Sequence, residues 1–289
     1  MGDEWRTEGG EPQNMDNSTR RNFLKDLSLG TAAFSVGAEG AQANRVPGQP
    51  SAGEAGTQGS GPSSIMAIAA HPGDAFFAMG AIVALQAHLG GQSVFLSLSL
   101  GEKGSARMEP ERYGALQREA AERAAQSLGA RAVFLSFRDG EIPVSEEAKF
   151  AVCDLIREHK PGVLVTHWGG SWHKDHKACH EIVNDAVFYA GLPALARPQP
   201  AHEVRKLFFA ENWEDATGFA PDTFLDIGPV FDRWLAACAA FPMWRGENGF
   251  HYNDYYSALA VERGCLSGCK YAVALMSAPV SHTRRVQAL

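Results

Sequence analysis

Short apolar runs that stop at chemically capable residues, each followed by a longer helical stretch, constrain the fold of this chain more than any other feature. The first run, Ile65-Met66-Ala67-Ile68-Ala69-Ala70, ends abruptly at His71-Pro72-Gly73-Asp74. The pattern predicts strands at Ser64–Ala70, Ser93–Leu100, Ala132–Phe137 and Val163–His167. Between and after them it predicts helices at Asp74–Leu89, Pro110–Leu128, Ser145–Lys160 and Asp175–Ala190. Ser145 suits an N-cap, Gly129 stops a helix, and Pro161 follows another. Lys206–Ala210 and Thr223–Ile227 read as further strands, Gly228–Ala240 and Tyr255–Cys265 as further helices. Strands that are apolar on both faces and alternate with helices build a parallel sheet covered on both sides. The expected class is therefore α/β: a Rossmann-like, doubly wound, mostly parallel sheet. No GxGxxG follows the first strand, which disfavours a dinucleotide site of the usual kind.

Sheets of this kind bind ligands at the carboxyl ends of their strands. His71, Gly101-Glu102, Asp139 and the stretch His167–His176 all follow a predicted strand end. His71 and Asp74 flank a strand-to-helix turn, and His173, Asp175 and His176 form a second cluster, with His167 and His180 close by. A single histidine at a strand end is ordinarily a hydrogen-bonded structural residue, and an Asp at a helix start is ordinarily an N-cap. Two such clusters at neighbouring strand ends point instead to a metal site. Two imidazoles and a carboxylate with an open position are the layout of a hydrolytic zinc centre.

The 289 residues suffice for one domain with a real core, and a net charge of −7 with 45% apolar content fits an acidic globular protein. With no basic stripe, nucleic-acid partners are disfavoured. The five cysteines form no CxxC pair, so all are read as small buried residues. Trp213, Phe250, Tyr252, Tyr255 and Tyr256 are read either as a stacking surface for a sugar or as core and subunit contacts.

The N-terminus is different. Thr19-Arg20-Arg21-Asn22-Phe23-Leu24-Lys25, a weakly apolar stretch from Leu27 to Ala38, and Ala41-Gln42-Ala43 resemble, in that order, a bacterial twin-arginine export signal. The stretch is too short and too rich in Gly, Ser and Ala for a stable membrane span. The expected organisation is an export signal at 1–43, a Gly/Pro/Ser-rich disordered linker at 44–63, and one domain at 64–289, delivered to the periplasm or beyond.

The paired motifs Ala70-His71-Pro72-Gly73-Asp74-Ala75 and His173-Lys174-Asp175-His176 resemble those of the LmbE/PIG-L family of zinc-dependent N-acyl deacetylases. Weaker likenesses are Gly101-Glu102-Lys103-Gly104, Arg118-Glu119 with Leu128-Gly129, Phe137-Arg138-Asp139-Gly140, Arg263-Gly264 and Tyr271–Leu275. Glu211-Asn212-Trp213-Glu214-Asp215 is similar to a stretch of exported members. The resemblance implies that His71, Asp74 and His176 hold Zn2+ or another divalent metal. It implies that His173 stabilises an oxyanion or acts as an acid, and that Asp175 orients an imidazole. Asp139 and Arg118 would lie near the substrate, a small molecule or glycan carrying an N-acyl group.

The chain departs from the family at one point: the aspartate used there as general base is Gly73, and the next acidic residue is Ala75. Glu102, Asp139, Glu211 and Glu214 are the carboxylates near strand ends that stand as replacements. The alternative is a metal- or carbohydrate-binding relative without turnover. Export is testable directly: replacing Arg20-Arg21 with Lys-Lys should leave the protein in the cytoplasmic fraction, and continued delivery outside would contradict the signal.

Overall fold

The computed structural model describes residues 63–279 except Ala216. The segment read as an export signal, residues 44–62 of the expected linker and the last ten residues lie outside that range. The described residues form one sheet of seven strands: β1 (Ile65–Ala69), β2 (Ser93–Ser99), β3 (Arg131–Phe137), β4 (Val163–His167), β5 (Lys206–Ala210), β6 (Thr223–Asp226) and β7 (Ala272–Ser277), in the order β3-β2-β1-β4-β5-β7-β6. The first five are parallel, and β7 runs antiparallel to both β5 and β6. The expected fold class is the one observed. Because β2 lies on one side of β1 and β4 on the other, the topological switch point falls between β1 and β4, where such sheets open a crevice for ligands.

Alternation along β1 shows why the runs are apolar throughout. Ile65, Ala67 and Ala69 face one core with α1 (Pro72–Phe77), α2 (Gly80–His88), α3 (Pro110–Leu128), α6 (Phe231–Cys238) and α7 (Tyr252–Ser267). Met66, Ile68 and Ala70 face the other, under α4 (Glu146–His159) and α5 (Lys174–Ala190). Ser145 caps α4 by accepting from the Ala148 amide, and Gly129 ends α3 at φ 74°.

Three expectations need correction. The single helix Asp74–Leu89 is two, α1 and α2. At the break the Phe76 carbonyl accepts the Trp234 indole N–H at 2.8 Å, and the Gly80 backbone packs so tightly on that indole that a Cβ there would sit 3.0 Å from it. The strand β7 was assigned no element. Cys265 is exposed rather than buried, on the outer side of α7, while Cys153, Cys179 and Cys238 are buried as expected. Among the described residues no helix is long and apolar enough to cross a membrane.

The far end of α5, which carries the second histidine cluster at its start, is anchored by Arg157 on α4. Its guanidinium is 1% exposed and donates to five carbonyls, those of Tyr189, Ala190, Leu192, Leu195 and Gln199. Replacing Arg157 with Met should strand these acceptors and destabilise the fold by roughly 3–5 kcal/mol. The denaturant midpoint reads this directly, and an unchanged midpoint would show that the clamp is dispensable.

Candidate functional site

The end of β1 is pinned before the chain turns. The Ala70 amide donates to His167 Nε2 at 3.1 Å, joining β1 to the end of β4. His167 is buried, and burial together with the neighbouring charge of His176 pushes its pKa well down. Its neutral ring therefore accepts at Nε2. The next residue, His71, is the N-cap of α1, with extended backbone and Pro72 following it. The first turn of α1 folds Asp74 back so that its Oδ2 lies 2.8 Å from His71 Nδ1. The loop after β2 passes so near that a Cβ on Gly101, at φ 62°, would lie 3.3 Å from His71 Cβ.

The β4 side supplies the rest. His173 is the N-cap of α5, its Nδ1 accepting from the Asp175 amide at 3.2 Å. That fixes the proton of the neutral ring on Nε2. His176, one turn on, places Nε2 3.0 Å from Asp74 Oδ2. One carboxylate oxygen thus stands between imidazoles from two strand ends. Each imidazole has a carboxylate on its far nitrogen. Asp139 Oδ1 at 3.1 Å and Asp175 Oδ2 at 3.3 Å face His71 Nε2. Glu214 Oε2 lies 2.9 Å from His176 Nδ1, with Ser171 Oγ at 3.4 Å. Backing carboxylates of this kind hold metal-ligating histidines in one tautomer.

The charge balance favours a cation. Burial opposes charge on His71, but hydrogen bonds with Asp139, Asp175 and Asp74 outweigh it and hold its pKa well above the usual value. Burial likewise opposes charge on His176, yet the charge and hydrogen bond of Asp74 and the contact with Glu214 lift it to about 9. Asp74 is buried but driven well below the carboxylate range, chiefly by His176. His173 goes the other way, lowered by burial and then by the charges of His176 and His71. Four carboxylates around two imidazoles leave negative charge that two protons do not fully balance. Asp175 Oδ1 is buried without a hydrogen-bond partner. Ligand atoms of His71, His173 and His176 lie within 4.8 Å of one another, as do those of Asp74, His167 and His176, and of His71, Asp139 and Asp175. Ligands on a tetrahedral zinc, with bonds of about 2.0–2.1 Å, stand about 3.3 Å apart. The donor set fits a divalent metal.

The structure therefore brings His71, Asp74, His173, Asp175, His176 and Asp139 together. Asp175 faces His71, and Asp139 spends both oxygens inside the site, on His71 Nε2 and on the Lys103 amide. Arg118 is not brought to the cleft: it is half-exposed, with its guanidinium 4.3 Å from the Phe134 ring centroid. One helical step earlier, Gln117 is buried and lines the cleft. Of the candidate replacement bases, Glu211 is bound bidentately by Arg263, and Glu102 accepts the Asp139 amide. Glu214 lines the cleft. His180 is occupied by the His167 carbonyl. Tyr252 and Tyr256 pack with Phe77 in the core, Trp213 stacks on Phe250, and Trp172 beside His173 is exposed. Met243, Asn248 and Gln117 line the cleft without having been singled out in the sequence. Helical phase from Arg118 would have found Gln117.

Residues 66–187 match the family model described as PIG-L, GlcNAc-PI de-N-acetylase. Residues 66–187 thus carry a PIG-L (LmbE-like) family domain. Among its relatives is a diacetylchitobiose deacetylase of Thermococcus kodakarensis, 26% identical over 229 residues, covering 74% of this chain and 83% of the relative. Another is a 4-oxalmesaconate hydratase of Pseudomonas putida, 25% identical over 210 residues, covering 70% and 80%. The crystal structure of a 4-carboxy-2-hydroxymuconate hydratase from Pseudomonas putida superposes with a TM-score of 0.70 at 23% identity, covering 78% of this chain and 99% of that one. The PIG-L fold thus serves deacetylases and hydratases alike.

A raised histidine pKa stabilises the fold below the unfolded value of about 6.5, and that contribution is lost as pH rises through about 9. For His176 the effect is on the order of 3 kcal/mol. In chelator-treated protein, Tm should fall between pH 6.5 and 9, and saturating zinc should restore more at the upper end, where fewer protons compete. A His176→Gln variant should show a shallower slope, the remainder coming from His71, whose pKa is also raised. A metal-free Tm that is flat across this window would contradict the charge assignment.

Proposed function

We propose that this PIG-L domain is a zinc-dependent hydrolase that removes an N-acetyl or other N-acyl group from an amino sugar or related compound, and that it is exported by the twin-arginine route. The observation that carries the reading is the shared oxygen of Asp74 between His71 Nδ1 and His176 Nε2, with the neutral His173 beside them. Those three atoms would hold the metal. When bound, it supplies a Lewis acid that acidifies water and polarises an amide carbonyl.

The chain's own residues do the rest. Asp139 and Asp175 hold His71 from its far side, and Glu214 with Ser171 holds His176, so both rings face Asp74. His173 has its Nδ1 committed to the Asp175 amide, which leaves Nε2–H to donate to the amide oxygen as it gains charge. Water adds at the carbonyl carbon, the C–N bond breaks, and the acid and free amine leave. No carboxylate stands at Gly73 to take the proton from that water; a positioned base is worth about 10²–10⁴-fold, so turnover should be slow for an enzyme of this type.

The relatives' hydratase chemistry also uses water, but their named substrate is a carboxylated muconate. Among the described residues that line the cleft there is no Lys or Arg, whereas Asp74, Asp139 and Glu214 are present. That lining suits an uncharged amide better than a polyanion. The second reading, metal-dependent binding without turnover, is favoured by Gly73 alone.

The test is acetate release from N-acetyl sugars by zinc-loaded protein, beside metal analysis of variants. Asp74→Ala and His176→Ala should lose both zinc and activity. His173→Ala should keep zinc and lose roughly 10²–10³ in kcat. Zinc content indifferent to Asp74 and His176 would overturn the site; zinc bound without any acyl release would leave the binding reading.

A further inference from the structure

We propose that the cavity beside the metal cleft is an acyl-chain site, which would make amides with acyl groups longer than acetyl the preferred ligands. The claim rests on the N-acyl reading above and goes beyond it. The cavity measures about 440 Å³ and the metal cleft about 170 Å³. They share Gly104, Met243 and Asn248 in their linings, so a single layer of side chains divides them.

Met243 is the movable part of that layer. Its Sδ lies 3.1 Å from where a Cβ on residue 73 would be, filling the space opened by the glycine. Among the described residues, that sulfur takes weak hydrogen bonds from Gln117 Nε2 at 3.6 Å and the Tyr113 hydroxyl at 3.9 Å. A thioether is a weak acceptor on a flexible stem, so exchanging those contacts costs little. Gln117 supplies the second observation. It is 2% exposed, lines the cleft, and its Oε1 has no hydrogen-bond partner. A buried amide oxygen left unpaired is destabilising. When Met243 turns aside, the two spaces join and that oxygen meets the passage, where the N–H of a substrate amide can pair with it.

The chemistry of the walls selects the occupant. Ala106, Met108, Pro242, Met243 and the ring of Tyr113 supply an apolar wall, beside the polar Ser105, Arg107, Glu247 and Asn248. An alkyl chain laid on that wall gains from leaving water. The amine half is left to the side where Trp172 stands exposed next to His173.

The test is calorimetric binding of N-acetylglucosamine and N-hexanoylglucosamine to the full chain with zinc withheld, so that neither is consumed. N-hexanoylglucosamine should bind at least about tenfold more tightly, given four added methylenes. Met243→Ala should widen that ratio, and Ala106→Trp, at an exposed position, should erase it. Equal affinities in wild type and Met243→Ala, or a preference that survives Ala106→Trp, would overturn the assignment. So would a gain from enlarging the amine half, as in N,N'-diacetylchitobiose, that Ala106→Trp abolishes. With zinc restored the two claims separate: chain preference without hydrolysis keeps the cavity and removes the proposed function, and hydrolysis without chain preference does the reverse.

Discussion

Everything at this site depends on one carboxylate oxygen. Asp74 Oδ2 lies within 3.0 Å of nitrogens from His71 and His176, residues that follow different strands. Meeting there requires that β1 and β4 be neighbours in the sheet and that both chains turn into helices at once. The sheet order meets the first requirement. The second is met by two N-caps, His71 and His173, and by His167, whose ring takes the Ala70 amide and so fixes where β1 stops. His167 looks like a ligand by position. Its contribution is to place the residue that follows Ala70.

The same oxygen organises the charge. Around it, burial disfavours every ionised form, yet Asp74, Asp139 and Asp175 are all held below their ordinary pKa. Protons on His71 and His176 supply part of the balancing charge. A dication would supply it more completely, and the buried unpaired oxygen of Asp175 shows where the balance is left open. A site that is locally unfavourable when empty is one that binding stabilises, so metal affinity and fold stability are linked here. The excess of carboxylate also acts on substrate choice, because an anion entering the cleft meets like charge at short range.

Much of this was legible in the chain. A strand end in a doubly wound sheet is a place, so His71 and His176 were assigned to one crevice from order alone. What stayed hidden came from contacts that no local pattern encodes. The helix after β1 breaks because Trp234, far along the sequence, binds the Phe76 carbonyl. Which imidazole Asp175 serves is one such contact: its Oδ2 faces His71 and takes the Gly140 amide at 2.6 Å. The family resemblance points to Arg118, but the phase of α3 turns that residue outward and buries Gln117 beside the cleft instead.

Gly73 gains its meaning from Met243, which sequence alone does not connect to it. Glycine at a helix start reads as a permissive residue or as a lost catalytic group. In the fold it is neither alone: the thioether rests where a side chain at 73 would begin, at 3.1 Å, and must give way before any carboxylate is seated there. The two positions therefore compete for one volume. A chain with a carboxylate at 73 would have its proton acceptor there; this one has a flexible thioether instead, and on the proposed reading a bound metal and the remaining residues would have to activate water. Restoring an aspartate at 73 would push Met243 toward the outer cavity, so a gain in proton transfer would come with a loss of room for the acyl chain. Reactivity and acyl-chain selectivity are then coupled through a single side-chain contact, and changing either residue alone alters both.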